Sequence, residues 1–170
     1  MIQLNKFKLI NQKSEIYFSF LEKELNKKIE ISKESNSARF GFYLLVLEAI
    51  TNIKDISQLN EMITDTEFNK EVFGVNFKDW GVDAIHIDED DKIINIFNFK
   101  YREKYSQDSK LSENDMKNTL DYFENVFNGE LNKFQDKLLK FSTLIYDFIY
   151  SKDPWNVNFY MVSNEEKTLD

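Results

Sequence analysis

Asp83, Asn98 and Lys100 are the residues whose types and spacing point most directly to chemistry. Two β-rich runs, residues 82–87 and 92–99, flank the acidic turn Asp88, Glu89, Asp90, Asp91 and read as a short hairpin. In strand phase Ile94, Ile96, Asn98 and Lys100 share one face, while Asp83 leads its own strand in phase with Ile85 and Ile87. Closing the hairpin sets Asp83 roughly opposite Asn98, where cross-strand neighbours lie about 5 Å apart. An acid, an amide oxygen and a lysine at the open end of a hairpin suit a magnesium and phosphate site. Mg²⁺ takes hard oxygen ligands, and an ammonium stabilises charge on the phosphate or orients an attacking water. The plainer alternative is that Asp at a strand start and Lys at a strand end are ordinary solvated residues.

Around these three, Lys100, Arg102 and Lys104 alternate with Tyr101, Glu103 and Tyr105, the one compact basic strip with interleaved aromatics. It reads equally as a nucleic-acid-binding edge and as a solvated strand extension. Trp80 and Tyr101 flank the hairpin and are expected to pack rather than to stack on bases. His86 falls on the strand face opposite Asp83, in phase with Val82 and Ala84, and reads as structural. The acidic turn lacks the spaced ligands and central glycine of a calcium loop, so a charged hairpin turn accounts for it better.

The elements that must position this hairpin are mostly helical. Residues 12–29 carry Ile16, Phe20, Leu21, Leu25 and Ile29 at helical spacing, an amphipathic opening helix. After Ser35 and Ser37, residues 38–52 leave almost no polar face and predict a central, buried helix, with Glu48 at its polar edge. Between 53 and 78 a short helix is expected at 57–63 and a short strand at 72–77, interrupted by Gly74. Ser112 is placed to cap a helix bearing Met116, Leu120, Phe123 and Phe127, ended by Asn128 and Gly129. A second long helix shows Leu131, Phe134, Leu138, Phe141, Ile145 and Phe148, a stripe read as core, until Pro154 stops it. Residues 155–162 then alternate as a strand with Val157, Phe159 and Met161 on one side. The expectation is one α/β domain over 1–170: helical 1–52, central hairpin 82–100, helices 112–151, final strand 156–162.

Composition narrows the chemistry. The 170 residues, 42% hydrophobic, suffice for one real core. There is no cysteine, which excludes disulfides, thiolate zinc sites and cysteine nucleophiles and suggests a reducing, cytoplasmic home. A single histidine excludes chemistry built on imidazole pairs. No run of about 18 apolar residues occurs, so no membrane association is expected. The net charge of -8 opposes nonspecific binding of nucleic acid by the whole surface, leaving phosphate contacts to a local basic strip.

The segment Asp79-Trp80-Gly81-Val82-Asp83-Ala84-Ile85, the acidic turn after it, and Ile96-Phe97-Asn98-Phe99-Lys100-Tyr101 together resemble the N-terminal nuclease-like domain of the AIPR (abortive infection phage resistance) family, of the PD-(D/E)XK nuclease superfamily. The resemblance extends to residues 42–49, similar to the family's buried helix bearing a glutamate, and to 157–164, similar to its later strand. It implies a restriction-endonuclease-like core, a small mixed β-sheet flanked by helices. It further implies Glu48 as the helix carboxylate beside the metal, Asp83 as principal metal ligand and Lys100 as catalytic lysine. Asn98 stands where the superfamily has Asp or Glu, as an auxiliary ligand with less charge and reach. The implied function is a metal-dependent nuclease-like domain of an antiphage defence protein, using Mg²⁺ or Mn²⁺, with Lys100, Tyr101, Arg102 and Lys104 toward nucleic acid. Asn98 and the net acidity favour the alternative, a catalytically silent module of the same fold that binds a protein or nucleic acid as a regulator or inhibitor of a defence system.

Overall fold

The computed structural model describes residues 2–106 and 113–165. Six helices and three strands follow in the order α1 (Ile2–Glu24), α2 (Asn36–Thr51), α3 (Ile56–Met62), α4 (Thr66–Phe73), β1 (Ala84–Asp88), β2 (Ile93–Lys100), α5 (Glu113–Phe127), α6 (Asp136–Ile149) and β3 (Asn156–Ser163). The expected cap Ser112 lies outside the described residues. The strands form one mixed sheet in the order β1-β2-β3, so the chain is mixed α/β with a small sheet between helices. No helix among the described residues is long and apolar enough to cross a membrane.

β1 and β2 pair antiparallel from Ala84 opposite Phe97 to Asp88 opposite Ile93. Their turn is stabilised locally, because Asp88 Oδ1 accepts the N–H groups of Asp90 and Asp91, both at 3.0 Å. β3 lies parallel to β2, from Ile93 beside Asn156 to Lys100 beside Ser163. Parallel neighbours need a long crossover, and the segment carrying α5 and α6 supplies it. As the central strand β2 is covered on both faces, which is why its six interior residues are all buried and its sequence is nearly continuous in apolar character. Ala84, Phe97 and Phe99 join α1 to α4 in one core, while Ile85, Ile94 and Ile96 join Tyr122, Val126, Leu138 and Ile145 of α5 and α6 in a second.

Two helical stripes differ from expectation in phase. On α1 Leu21 is buried, but Ile16 and Phe20 are about half exposed, and the inner face is Phe7, Ser14, Phe18 and Leu21. A notch selects this face: a Cβ at Gly41 of α2 would lie 1.7 Å from the Ser14 carbonyl oxygen, so the two backbones meet at Ser14 and Gly41. On α5 Leu120 and Phe127 are exposed, and the buried positions are Thr119, Tyr122 and Val126. Tyr122 can turn inward because its hydroxyl shares a 2.9 Å hydrogen bond with Ser142 of α6. The expected strand at 72–77 is replaced by the end of α4. Asp65 accepts the Phe68 N–H at 2.7 Å to start that helix, and Gly74 ends it in the left-handed region. The long helix expected from Leu131 opens as a 3₁₀ turn, Leu131–Lys133, and its α-helical part begins at Asp136.

Candidate functional site

Asp83 stands at the mouth of the hairpin, just before β1, and its backbone and side chain bind in three directions. Its N–H donates to the Phe97 carbonyl at 2.8 Å, continuing toward β2. Its carboxylate Oδ2 accepts the Phe99 N–H at 2.5 Å, so a side chain takes a backbone's place in the ladder. Its carbonyl, freed from the ladder, accepts the N–H groups of Thr64 at 2.8 Å and Asp65 at 3.1 Å. An isolated antiparallel bridge between Ile63 and Ala84 reinforces that link. The start of α4 is therefore pinned to the start of β1, and Asp65 arrives beside Asp83.

Asp79 joins them from the turn leading into β1. Its Oδ2 accepts the N–H of Thr66 at 3.1 Å and the Thr66 hydroxyl at 2.8 Å, while Oδ1 accepts the Gly81 N–H at 2.9 Å. The turn needs positive φ at Trp80 and at Gly81. One carboxylate oxygen each of Asp65, Asp79 and Asp83 lies within 4.8 Å of the others, with Asp65 and Asp83 buried. Such spacing suits the coordination shell of an oxygen-ligated cation.

Asp65, Asp83, Asn98 and Lys100 line a single cavity of about 430 Å³, whose wall also carries Lys33, Arg39 and Arg102. Arg39 pairs with Asp65 at 2.7 Å and with Glu67, and its Nε donates to the Tyr43 hydroxyl at 2.7 Å. The Asn98 side chain is buried. Its NH₂ donates to the Gly81 carbonyl at 2.9 Å and, at 3.5 Å, to the Thr119 hydroxyl, while its Oδ1 has no hydrogen-bond partner.

These carboxylates sit in an environment hostile to negative charge. Burial, together with Asp65 and Asp79, pushes Asp83 up to about 8 despite the Phe99 N–H and Arg39. Burial also raises Asp65, against the opposing pull of Arg39. Tyr43 is held well above its ordinary value by burial and by the adjoining Asp65 and Asp83. The cavity thus concentrates anionic ligands that, without a cation, are best relieved by a proton.

The other expected site residues are distributed differently. Tyr101 and Arg102 line the cavity with Lys100, whereas Lys104 is exposed and does not line it. Tyr101 packs against Phe42 with ring centroids 5.9 Å apart. Glu48 lies on α2 five residues beyond Tyr43, accepts the Tyr17 hydroxyl of α1 at 2.6 Å, and does not line the cavity. Trp80 meets Phe134 edge-on and carries Lys78 over its ring. His86 is half-buried and pairs through Nδ1 with the Asn95 amide at 3.1 Å, which also joins Asn158 of β3.

Asp65, Asp79 and Arg39 were not singled out by sequence. Asp65 carries a helix-start signal before Thr66 and Glu67, and Asp79 opens the motif that includes Asp83. Neither signal tells which strand the helix start will touch. Compared with known proteins, the chain matches no protein-family model, no curated protein and no solved structure.

Proposed function

We propose that this chain is a divalent-metal-dependent phosphodiesterase of the nuclease type, built on a PD-(D/E)XK-like core. The observation that carries the reading is the meeting of Asp83, the buried Asn98 and the half-buried Lys100 in one cavity with Lys33, Arg39 and Arg102. Buried carboxylates suit a cation, and basic side chains lining the same cavity suit the charge of a phosphate bound to that cation. A metal-bound phosphodiester supplies both. The order of a buried helix, an antiparallel hairpin, a crossover through α5 and α6, and a parallel third strand supports the same core. The role in antiphage defence rests on the resemblance of the two hairpin segments.

In this reading Asp83 holds the metal side of the site and Asn98 offers an amide oxygen beside it. Mg²⁺ or Mn²⁺ bound there would polarise a phosphoryl oxygen and acidify a water. Lys100, at the end of β2, neutralises charge building on the phosphate and orients the attacking water. Lys33 and Arg102 hold the flanking phosphate backbone, and Tyr101 offers a ring at the edge of the cavity.

Cleavage of duplex DNA, single-stranded DNA and RNA with Mg²⁺ or Mn²⁺ tests the reading. Asp83→Ala and Lys100→Ala should each lower the rate by about 10²-fold or more. Activity untouched by either substitution sinks it. The second reading, a catalytically silent module that binds a protein or nucleic acid, is favoured by the neutral Asn98 at the usual acidic position. It predicts no cleavage by the wild type, but oligonucleotide or protein binding that Lys100→Ala or Arg102→Ala weakens.

A further inference from the structure

We propose that the outer edge of β3, with the apolar stripe Leu120, Phe123 and Phe127 of α5 beside it, is the interface for a second copy of this chain. Two β3 strands pair antiparallel across a two-fold axis and join the two sheets into one of six strands. The proposal is independent of the metal-dependent reading above.

The first observation is an open strand edge. β3 lies at one side of the sheet and pairs only with β2. The Asn156 N–H donates to the Lys92 carbonyl at 2.9 Å, so by the two-residue period of a strand Asn158, Tyr160 and Val162 also turn their backbone groups toward β2. The N–H and C=O groups of Val157, Phe159 and Met161 therefore point outward, and none meets a backbone or side-chain partner among the described residues. A further strand is the partner whose spacing matches such a row. The opposite edge is blunted, because β1 is only five residues long, is bridged through Ala84 to Ile63 and ends in Asp88. β3 runs for eight residues with no charged side chain, no proline and no bulge, the devices that ordinarily keep an exposed edge from pairing.

The second observation is the stripe on α5. Leu120, Phe123 and Phe127 have the spacing of a core face, yet Leu120 and Phe127 are 46% and 47% exposed. Phe123 meets Phe159 of β3 edge-on at 5.3 Å, and Phe127 lies 6.4 Å from Phe123 and 5.7 Å from the exposed Tyr150. The stripe thus flanks the open edge, turned away from the buried Tyr122 and Val126. A strand added there, with its own helix above it, completes the burial that the spacing implies.

The chemistry of this surface suits a like partner. At a net charge of -8 two copies repel one another, so the surfaces that meet must be free of charge, and β3 and the stripe carry none. Antiparallel pairing about a two-fold keeps like faces together, which brings both α5 helices to the same side of the joined sheet and sets their stripes against each other. Each copy contributes an edge about 26 Å long and, counting the sheet rim and one helix, about 20 Å deep, or about 500 Å². About 1,000 Å² in total reaches the size of a weak but specific dimer.

Analytical ultracentrifugation over a hundred-fold range of protein concentration, with amide hydrogen exchange at the same concentrations, tests the proposal. The wild type should pass from monomer to dimer, and the amides of Val157, Phe159 and Met161 should become at least ten-fold more protected as it does. Met161→Pro removes an outward N–H without breaking a bond to β2, and Phe127→Lys sets like charges across the axis. Each should weaken the dimer at least ten-fold, whereas Val75→Lys, at an exposed apolar position after α4, should leave it unchanged. Circular dichroism checks the fold, and if Met161→Pro does not fold, Phe127→Lys and the wild-type exchange decide. A wild type that stays monomeric, a dimer indifferent to both substitutions, or a dimer whose three amides exchange as freely as in the monomer overturns the proposal. Protection that does not change with concentration overturns it as well, because a segment of the same chain would then cover the edge.

Discussion

The Asp83 carboxyl, out of water and beside two other acids, keeps its proton up to about pH 8, against an ordinary value of 3.8. Between those limits the native chain holds a proton that the unfolded chain has released. Raising the pH from about 4 to about 8 therefore costs stability, and above 8 both states are ionised and the loss levels off. Asp83→Asn removes the cost, so in EDTA its advantage in melting temperature over the wild type should grow from pH 5 to pH 8 and then stay constant. An advantage independent of pH would mean that Asp83 is not desolvated as described. Asn98 shows a related constraint. Its NH₂ is spent on the Gly81 carbonyl, which a carboxylate cannot replace. Asn98→Asp should therefore lower the stability of the metal-free protein by about 1–3 kcal/mol in urea unfolding. Added Mn²⁺ should return more of that loss than it adds to the wild type.

At the scale of elements, the site depends on two close approaches. One is the pinning of α4 to β1 through the Asp83 carbonyl and the bridge between Ile63 and Ala84. The other is the notch between α1 and α2, which sets the rotation of α2 so that Tyr43 stacks on Phe99 at 4.7 Å while Glu48 turns to Tyr17. Gly41→Ala should test the notch, because the neighbouring atoms are backbone and cannot swing aside. A loss of about 3 kcal/mol in urea denaturation is expected, typical of overpacking a rigid contact. A change below about 0.5 kcal/mol would show that the helices separate without penalty.

Across the whole molecule, both cores rest on β2. Phe97 belongs to the core beneath α1 to α4, and Ile96, its neighbour in sequence, belongs to the core beneath α5 and α6. The two halves should therefore unfold together. Phe97→Ala should cost about 3–5 kcal/mol and Ile96→Ala about 2–5 kcal/mol. Both should shift one common transition seen by fluorescence and by circular dichroism. Two separate transitions, each moved by only one substitution, would show that the sheet does not couple its faces.

The hairpin was legible in the sequence because its information is local. Alternating side chains fix which residues share a face, the Asp88 turn fixes where the strands reverse, and these suffice to bring Asp83, Asn98 and Lys100 to one end. The buried α2 and the strand β3 were legible for the same reason, through apolar content and alternation. Helix phase was not, because α1 and α5 carry apolar residues on more than one stripe and only the partner helix selects among them. The acid cluster was hidden more deeply. Asp65 reads in sequence as a helix cap, and its place beside Asp83 exists only because a backbone carbonyl released from the sheet ladder accepts the N–H of a residue 18 positions earlier. Local sequence determined the pair that faces the cavity across the hairpin. Tertiary hydrogen bonding, which no periodicity encodes, decided which further carboxylates would stand with it.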